Sequence, residues 1–527
     1  MASHGLISRW SFPLAALAAV SLSGCWITDD DGADDTNPQR DATSQEACSA
    51  LTGQTVGGAT VTSATQVAAS GDAPVYCSVK ATIAPQLNLE LRLPDAWNGK
   101  LYYGGGGGYN GSIPPNSGLN LTALQQGYAV VNSDSGHEGS ALSADFALND
   151  TYAANLFGSL SVPTVMSSAK EMLQMAYGQQ PTRAYFEGCS NGGREALMAA
   201  QRNPNLFDGI IARAPAYNWV GFMGQFNRTA KALDAPGGML SSAKIALLAK
   251  GVRDECDADD GVVDGMVSNA AVCDFDPGVL RCAGGTDTGD TCLSDAQLAA
   301  VSSWTSTASW AGGAYTNAGW ALTGNEDDPG AWAAWVTGDG DVANALQFQF
   351  QDTTVKNYLA RDRAADSLAY DWDSDLNGLY GLAALNDATN TDLRPFQNSG
   401  AKLILWHGGN DSALSYKATT AYYKAVIQVA GGQSNADAFM RYYIAPGVDH
   451  CAGGPGADTT DLLTALDAWV TGNTAPANLS ARKTDASTGE ELLTRPLCAY
   501  PQYPRYTGPA DDETAATQAA NYTCTTP

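Results

Sequence analysis

Gly188-Cys189-Ser190-Asn191-Gly192 lies between a short apolar run, Ala184-Tyr185-Phe186, and a stretch of good helix formers from Gly193 to Arg202 that stops at Asn203-Pro204. A strand, a glycine-flanked turn carrying G-x-S-x-G and then a helix is the arrangement that lifts a serine above the end of a sheet. The glycines have a steric reason, since a chain that turns this sharply leaves no room for Cβ atoms beside the serine. Ser190 is therefore the candidate nucleophile, and an α/β fold is expected around it. In a chain with 56 glycines the same five letters also fit an ordinary turn, so the reading depends on partners elsewhere.

A serine hydroxyl needs a histidine to take its proton and an acid to orient that histidine. The chain has four histidines, His4, His137, His407 and His450. His4 falls in an N-terminal stretch read below as removed. His450 follows the turn-rich Ala445-Pro446-Gly447-Val448-Asp449, which itself follows the strand-like Arg441-Tyr442-Tyr443-Ile444. A loop beyond a strand end is where such a base belongs. Lys402-Leu403-Ile404-Leu405-Trp406 reads as a buried strand, and the loop after it reaches Asp411, the candidate acid. Asp449 is a rival acid, and a capping role is the plain alternative for Asp411. The order serine, acid, histidine is that of α/β-hydrolases. His137 reads as structural or cleft-lining. The substrate-pocket candidates are Trp335, His407 and Leu414.

Acyl transfer also needs donors for an oxyanion. The backbone N–H of Asn191 is one, and the run Gly104 to Gly108, after the strand-like Leu101-Tyr102-Tyr103, is the source of the second. Gly106 to Gly111 also satisfies G-x-G-x-x-G, but Pro114 and Pro115 stand where a helix would begin and no phosphate-loop lysine follows. No organic cofactor is expected.

A formal charge of −27 argues against nucleic acid and anionic membrane surfaces as partners. Arg9 and the apolar stretch from Phe12 to Val20 read as an export signal over residues 1–24. It ends in Leu22-Ser23-Gly24-Cys25, which resembles a bacterial lipobox, so Cys25 is the expected lipidated N-terminus; a plain secretory signal is the alternative. Residues 25–47 then read as an acidic flexible tether. Membrane contact is expected only through that anchor.

Removing Cys25 from 11 cysteines leaves an even number, which favours disulfides in an exported chain. Cys48 with Cys77, Cys256 with Cys273, Cys282 with Cys292 and Cys498 with Cys524 are local neighbours. Cys189 and Cys451 remain, one beside the proposed nucleophile and the other beside the proposed base. If Ser190 and His450 come within hydrogen-bond reach, these two come close enough to bond.

Cys189-Ser190-x-Gly192-Gly193-Arg194, the later Asp411 and the pair His450-Cys451 resemble the tannase and feruloyl esterase family. Trp97-Asn98-Gly99-Lys100, Asp134-Ser135-Gly136-His137, Phe207-Asp208-Gly209-Ile210 and Arg495-Pro496-Leu497-Cys498-Ala499-Tyr500-Pro501 extend the likeness from Cys48 onward. The resemblance implies an α/β-hydrolase core with a large inserted lid domain, bridged catalytic-loop cysteines and Gly108 as the second oxyanion donor. It also implies substrates that are small esters of hydroxylated aromatic acids. One branch hydrolyses a terephthalate monoester and holds its free carboxylate with a lid arginine; the stretch Asn344 to Phe348 offers Gln347 there instead.

The acidic loop Cys256-Asp257-Ala258-Asp259-Asp260-Gly261-Val262-Val263-Asp264-Gly265-Met266 concentrates hard oxygen ligands suited to calcium, although it fails the EF-hand spacing. An Asp-Gly turn is the alternative. The resemblance implies a structural lid calcium held by the carboxylates of Asp257, Asp260 and Asp264 and the backbone carbonyls of Val262 and Met266. The expected organisation is a core over residues 48–216, the lid over 217–389 and the rest of the core over 390–527. Lid tryptophans Trp304, Trp310, Trp320 and Trp332 read mainly as its own core, with Trp335 the first choice to stack on a planar substrate. An aromatic-ester hydrolase is the leading reading. A terephthalate-monoester hydrolase, an acyltransferase and a non-catalytic surface lipoprotein binding polyphenols or glycans are the alternatives.

Overall fold

The apolar runs on either side of the serine become neighbouring strands in a computed structural model, which describes residues 42–510 and 512–527. Among the described residues, ten strands form one large sheet. They are β1 (Thr55–Val56), β2 (Ala59–Val67), β3 (Tyr76–Ile83), β4 (Leu87–Pro94), β5 (Lys100–Gly104), β6 (Ala129–Ser133), β7 (Arg183–Cys189), β8 (Gly209–Arg213), β9 (Lys402–Gly408) and β10 (Met440–Ala445). Their order is β1-β2-β3-β4-β6-β5-β7-β8-β9-β10. Pairs up to β4 with β6 are antiparallel, and every pair from β6 to β10 is parallel.

The residues explain the change. β2 starts by alternating buried and exposed positions, as a strand with one wet face does, whereas β6 and β8 are buried at every position. Crossover helices cover both faces of parallel strands, so those strands are buried throughout, and the polar residues they carry, such as Glu187 of β7 and Arg213 of β8, are paired with one another. On one face, helices Ser161–Tyr177, Asn191–Arg202 and Tyr416–Val429 bring Met172, Leu197 and Tyr422 into one cluster with Phe186, Ile210 and Leu403. On the other, Gly118–Gln125 and Leu462–Gly472 bring Leu124, Leu466 and Trp469 against Tyr102, Tyr185 and Trp406. Register pairs Gly188 with Ala212 and Arg213 with Trp406. The loops after β5, β7, β9 and β10 therefore leave from one edge of the sheet, the edge where parallel α/β sheets place their ligands.

Between β8 and β9 the chain adds nothing to this sheet and builds a lid with its own core. Trp219, Phe222 and Phe226 of helix Trp219–Asp234 pack with Trp304, Trp310, Trp320 and Trp332. Tyr109 from the glycine loop and Ala413 and Leu414 from the loop after β9 belong to the same cluster. This insertion, where the sequence places a lid, thus packs directly against the loops after β5 and β9.

One boundary moves. The helix Ser44–Leu51 begins inside the stretch read as tether, because Thr43 and Glu46 form a capping box that composition alone conceals. The export signal, Cys25 and the acidic stretch as far as residue 41 lie outside the described residues. Among the described residues no helix is long and apolar enough to cross a membrane.

Among the described residues, disulfides join Cys48 to Cys77, Cys189 to Cys451, Cys256 to Cys273, Cys282 to Cys292 and Cys498 to Cys524. The second spans 262 residues and the fourth only 10. Chain-entropy arithmetic makes the longer closure worth about 3 kcal/mol more to the folded state. The double variant Cys189→Ser/Cys451→Ser should therefore lose more unfolding free energy in denaturant titration than Cys282→Ser/Cys292→Ser. Equal losses would contradict this.

Candidate active site

Ser190 stands between the end of β7 and helix Asn191–Arg202 with φ 62° and ψ −120°, a region non-glycine residues rarely enter. The strain is held by Ser190 N–H donating to the Arg213 carbonyl (3.1 Å) and by the Ser190 carbonyl accepting from Ala216 N–H (3.0 Å). A Cβ on Gly188 would stand 2.6 Å from the Gly192 carbonyl carbon, and one on Gly192 would stand 2.8 Å from the Gly106 oxygen. The glycines are thus required by backbone crowding.

His450 and Asp411 meet across two loops. His450 Nδ1 lies 2.8 Å from Asp411 Oδ2, and Asp411 Oδ1 accepts from the N–H groups of Ala413 and Leu414, both at 2.8 Å. Burial alone would raise the Asp411 carboxyl, but the charge of His450 and the hydrogen bonds from His407 and His450 outweigh it and hold it well below the ordinary range. Asp449, the rival acid, faces elsewhere: its Oδ1 accepts from Asn410 Nδ2. Burial, with Asp328 opposite, pushes the Asp449 carboxyl up to about 8.

The pocket candidates separate. Trp335 meets His450 edge-on, with ring centroids 5.1 Å apart, and both Trp335 and Leu414 line the site. His407 does not. It is fully buried, with Nδ1 3.0 Å from Thr419 Oγ1 and Nε2 3.1 Å from Asp411 Oδ2, so it stands behind the acid rather than in the cleft wall. His137 is stacked on Phe146 with centroids 3.6 Å apart, and burial lowers its pKa to about 4. Gln347 is buried and donates to the Ser412 carbonyl at 2.8 Å.

Ser190 and His450 line a common cleft of about 480 Å³, together with Gly104 to Gly108, Trp335 and Cys451. Among the described residues Ser190 Oγ makes no hydrogen bond, a loose geometry common before a ligand seats. Asn191 opens its helix, where N–H groups lack intrahelical acceptors, and among the described residues Gly108 N–H has no backbone acceptor. Both residues also border an apolar slot that shares Ser190 and His450 with the cleft and is walled by Trp219, Phe222, Met223, Phe226 and Phe350. The sequence reading passed over this wall, although the spacing of 219, 222, 223 and 226 marks one helix face directly after the nucleophile unit. Neither lining contains a lysine or arginine.

A third cavity of about 410 Å³ shares Leu119 and Glu187 with the cleft. Its wall is polar, with Arg213, Thr459, Thr460, Ser480, Arg482 and Glu491. Arg213 and Glu187 neutralise one another through a buried pair at 2.7 Å.

The acidic lid loop has the donor chemistry for a hard cation. Burial first, with Asp264 opposite, pushes Asp260 up to about 7, and burial raises Asp257 and Asp264 as well. As placed, Asp257 accepts from Gly265 N–H (2.9 Å), Asp260 from Val262 N–H (3.2 Å), and Asp264 pairs with Arg495 (2.6 Å). Among the described residues no three His, Cys, Asp or Glu side chains converge as a metal cluster. The Cys256–Cys273 disulfide begins at the same loop.

A sequence profile described as "Tannase and feruloyl esterase" matches residues 70–525. A mono(2-hydroxyethyl) terephthalate hydrolase from Piscinibacter sakaiensis is 32% identical, with 86% of this chain and 85% of that protein covered. A probable feruloyl esterase of Arthroderma benhamiae is 31% identical, with 82% and 83% covered. Feruloyl esterase B from Aspergillus oryzae shares the fold, with a TM-score of 0.81 at 24% identity over 92% of this chain and 100% of that one.

The Asp449 carboxyl yields a pH test. Its folded pKa, about 8, lies above the unfolded value near ~4. Between these values the folded state holds a proton the unfolded chain has lost, so stability falls as pH rises through that window. Asp449→Asn removes this loss. Its Tm should drop less than that of the wild type between pH 5 and pH 8, by ~2 °C or more; parallel curves would contradict the assignment.

Proposed function

Because the chain belongs to the tannase and feruloyl esterase family, we propose that it is a serine hydrolase of esters formed by uncharged, hydroxylated aromatic acids of the feruloyl or galloyl kind. Ester hydrolysis is the family's chemistry; the substrate and the residue roles are the finer reading. The observation that carries it is the succession of cavities: an apolar slot without a cation, a cleft shared by Ser190 and His450, and a polar cavity beyond Glu187. The apolar lining of the slot suits an aromatic ring; the slot itself encloses only about 30 Å³, so the acyl group extends into the adjoining cleft of about 480 Å³, and a hydroxyl-rich alcohol suits the polar end.

In this reading Ser190 Oγ attacks the ester carbonyl carbon as His450 Nε2 takes its proton, and Asp411 at Nδ1 keeps the imidazole in the receptive tautomer. The N–H groups of Asn191 and Gly108 receive the oxyanion. The C–O bond to the alcohol then breaks, the imidazolium returns the proton to the departing oxygen, and an acyl-enzyme remains. Water, deprotonated by the same histidine, releases the acid and restores Ser190.

One relative is named for a terephthalate monoester. Such a substrate brings a second carboxylate into the acyl slot. Here no lysine or arginine borders the slot and Gln347 is committed to Ser412, in a chain of net charge −27. An unpaired buried anion is costly, so neutral aromatic acyl groups are favoured. Methyl ferulate and methyl gallate should be hydrolysed with kcat/KM at least ~10-fold above mono(2-hydroxyethyl) terephthalate, one unit of discrimination being ~1.4 kcal/mol. Ser190→Ala should lower kcat by ~10⁴-fold or more with Tm unchanged. Preference for the terephthalate monoester, or turnover surviving in Ser190→Ala, would overturn the reading.

Export with Cys25 as a lipidated N-terminus belongs to the same reading, supported by Leu22-Ser23-Gly24-Cys25 and by disulfides that persist in oxidising compartments. So does a structural calcium held by Asp257, Asp260 and Asp264 with the carbonyls of Val262 and Met266, supported by three neighbouring carboxyls that burial raises. The cation would neutralise a buried acidic loop and contributes no step to the chemistry. Added calcium should raise Tm over chelator-treated protein, and Asp260→Asn should abolish the difference. A Tm indifferent to calcium in the wild type would remove the cation from the account.

A further inference from the structure

Gly108 and Asn191 belong to segments far apart in sequence, yet one buried carboxylate touches Asn191 and both flanks of Gly108, at Gly106 and Asn110. Glu195 lies one turn beyond Ser190 on helix Asn191–Arg202 and is 5% exposed. Its Oε1 accepts from Asn110 Nδ2 (2.7 Å), Asn191 Nδ2 (3.2 Å) and Ser135 Oγ (3.4 Å), and its Oε2 accepts from Gly106 N–H (3.2 Å). Asn191 Nδ2 also donates to Asn110 Oδ1 (3.2 Å), and Asn191 Oδ1 accepts from Arg194 Nε (2.7 Å).

Gly106 and Asn110 bracket Gly108 by two residues on each side. The turn between them is tight: Asn110 N–H donates to the Gly107 carbonyl (2.9 Å), and Asn110 has φ 58°. A carboxylate that grips both ends of this turn, and the side chain of Asn191 as well, fixes the separation of the two N–H groups proposed for the oxyanion. All four of its partners are neutral donors, and an ionised carboxylate offers only acceptors to meet them. Buried charge is tolerated when several such bonds satisfy it.

We infer that Glu195 is a positioning residue whose carboxylate sets the spacing of the Gly108 and Asn191 N–H groups and so tunes oxyanion binding without touching the substrate. The inference rests on the proposed serine mechanism. Glu195→Gln nearly preserves shape but brings an amide donor against either Gly106 N–H or the Asn110, Asn191 and Ser135 donors, so one side of the grip is lost.

The test measures three quantities on wild type, Glu195→Gln and Asn110→Gly: kcat and KM for methyl ferulate, affinity for phenylboronic acid as a tetrahedral adduct of Ser190, and affinity for free ferulate. Asn110→Gly keeps the positive φ and removes the carboxamide, so it carries the test if Glu195→Gln does not fold. The expected result is a ~100-fold fall in kcat, the scale of a lost oxyanion donor. Boronate affinity should fall by a similar factor, while KM and ferulate affinity stay within ~2-fold. Glu195→Gln with kcat within ~2-fold of wild type overturns the inference. Parallel loss of boronate and ferulate affinity with a falling Tm also overturns it, marking a merely structural role. Wild type without any ester turnover overturns the functional reading, and with it the inference, before any variant is compared.

Discussion

A covalent bond between the residue before the serine and the residue after the histidine holds two loops together across 262 residues of sequence. With Cα atoms 5.9 Å apart, Cys189 and Cys451 leave the neighbouring Ser190 and His450 on one cleft wall. Parallel strands bring β7 and β10 to the same edge of the sheet but separate them by β8 and β9. The disulfide ties the loops across that gap. Asp411 then approaches the imidazole from the loop after β9 and is itself fixed by two backbone N–H groups.

The lid is fastened to these same loops by polar contacts as well as by its tryptophan core. Asn410, beside the acid, accepts from Thr323 Oγ1 and donates to the Asn325 carbonyl and to Asp449. Glu326, fully buried, accepts from the N–H groups of Thr323 and Gly324 and so shapes the segment that Asn410 reads. Trp335 follows shortly after in the chain and closes the cleft against His450. The wall at Trp335 and the loop that carries Asn410 and Asp411 are thus parts of one hydrogen-bonded unit. A change in lid sequence alters more than pocket shape, because buried polar networks of this kind transmit the loss of any member.

The sheet was legible in the sequence because its parallel strands are built on short apolar runs near glycines, as in Leu403 to Trp406 between Gly400 and Gly408. The site was legible where chemistry narrows the choice: few histidines, one glycine-flanked serine, and cysteines beside both. Tertiary contact decided the rest. His407 follows a buried strand just as a cleft residue would, and only packing against Thr419 and Asp411 shows that it stands behind the acid. Asp449 sits beside the histidine in sequence, yet its carboxyl faces Asn410. Glu195 resembles any helix glutamate until the glycine loop folds onto it. The helix at Ser44–Leu51 was hidden by polar composition, which weighs less than a capping box and a buried face.

In the proposed mechanism an aromatic acyl group passes through a covalent bond to Ser190 in a site completed by His450 and Asp411. Mass spectrometry of protein quenched during turnover of methyl ferulate tests it most directly. A feruloyl adduct is expected on the peptide that carries Ser190, recovered still disulfide-linked to the peptide that carries Cys451 and His450. Turnover with no adduct, or with the acyl mass on any other residue, would contradict it.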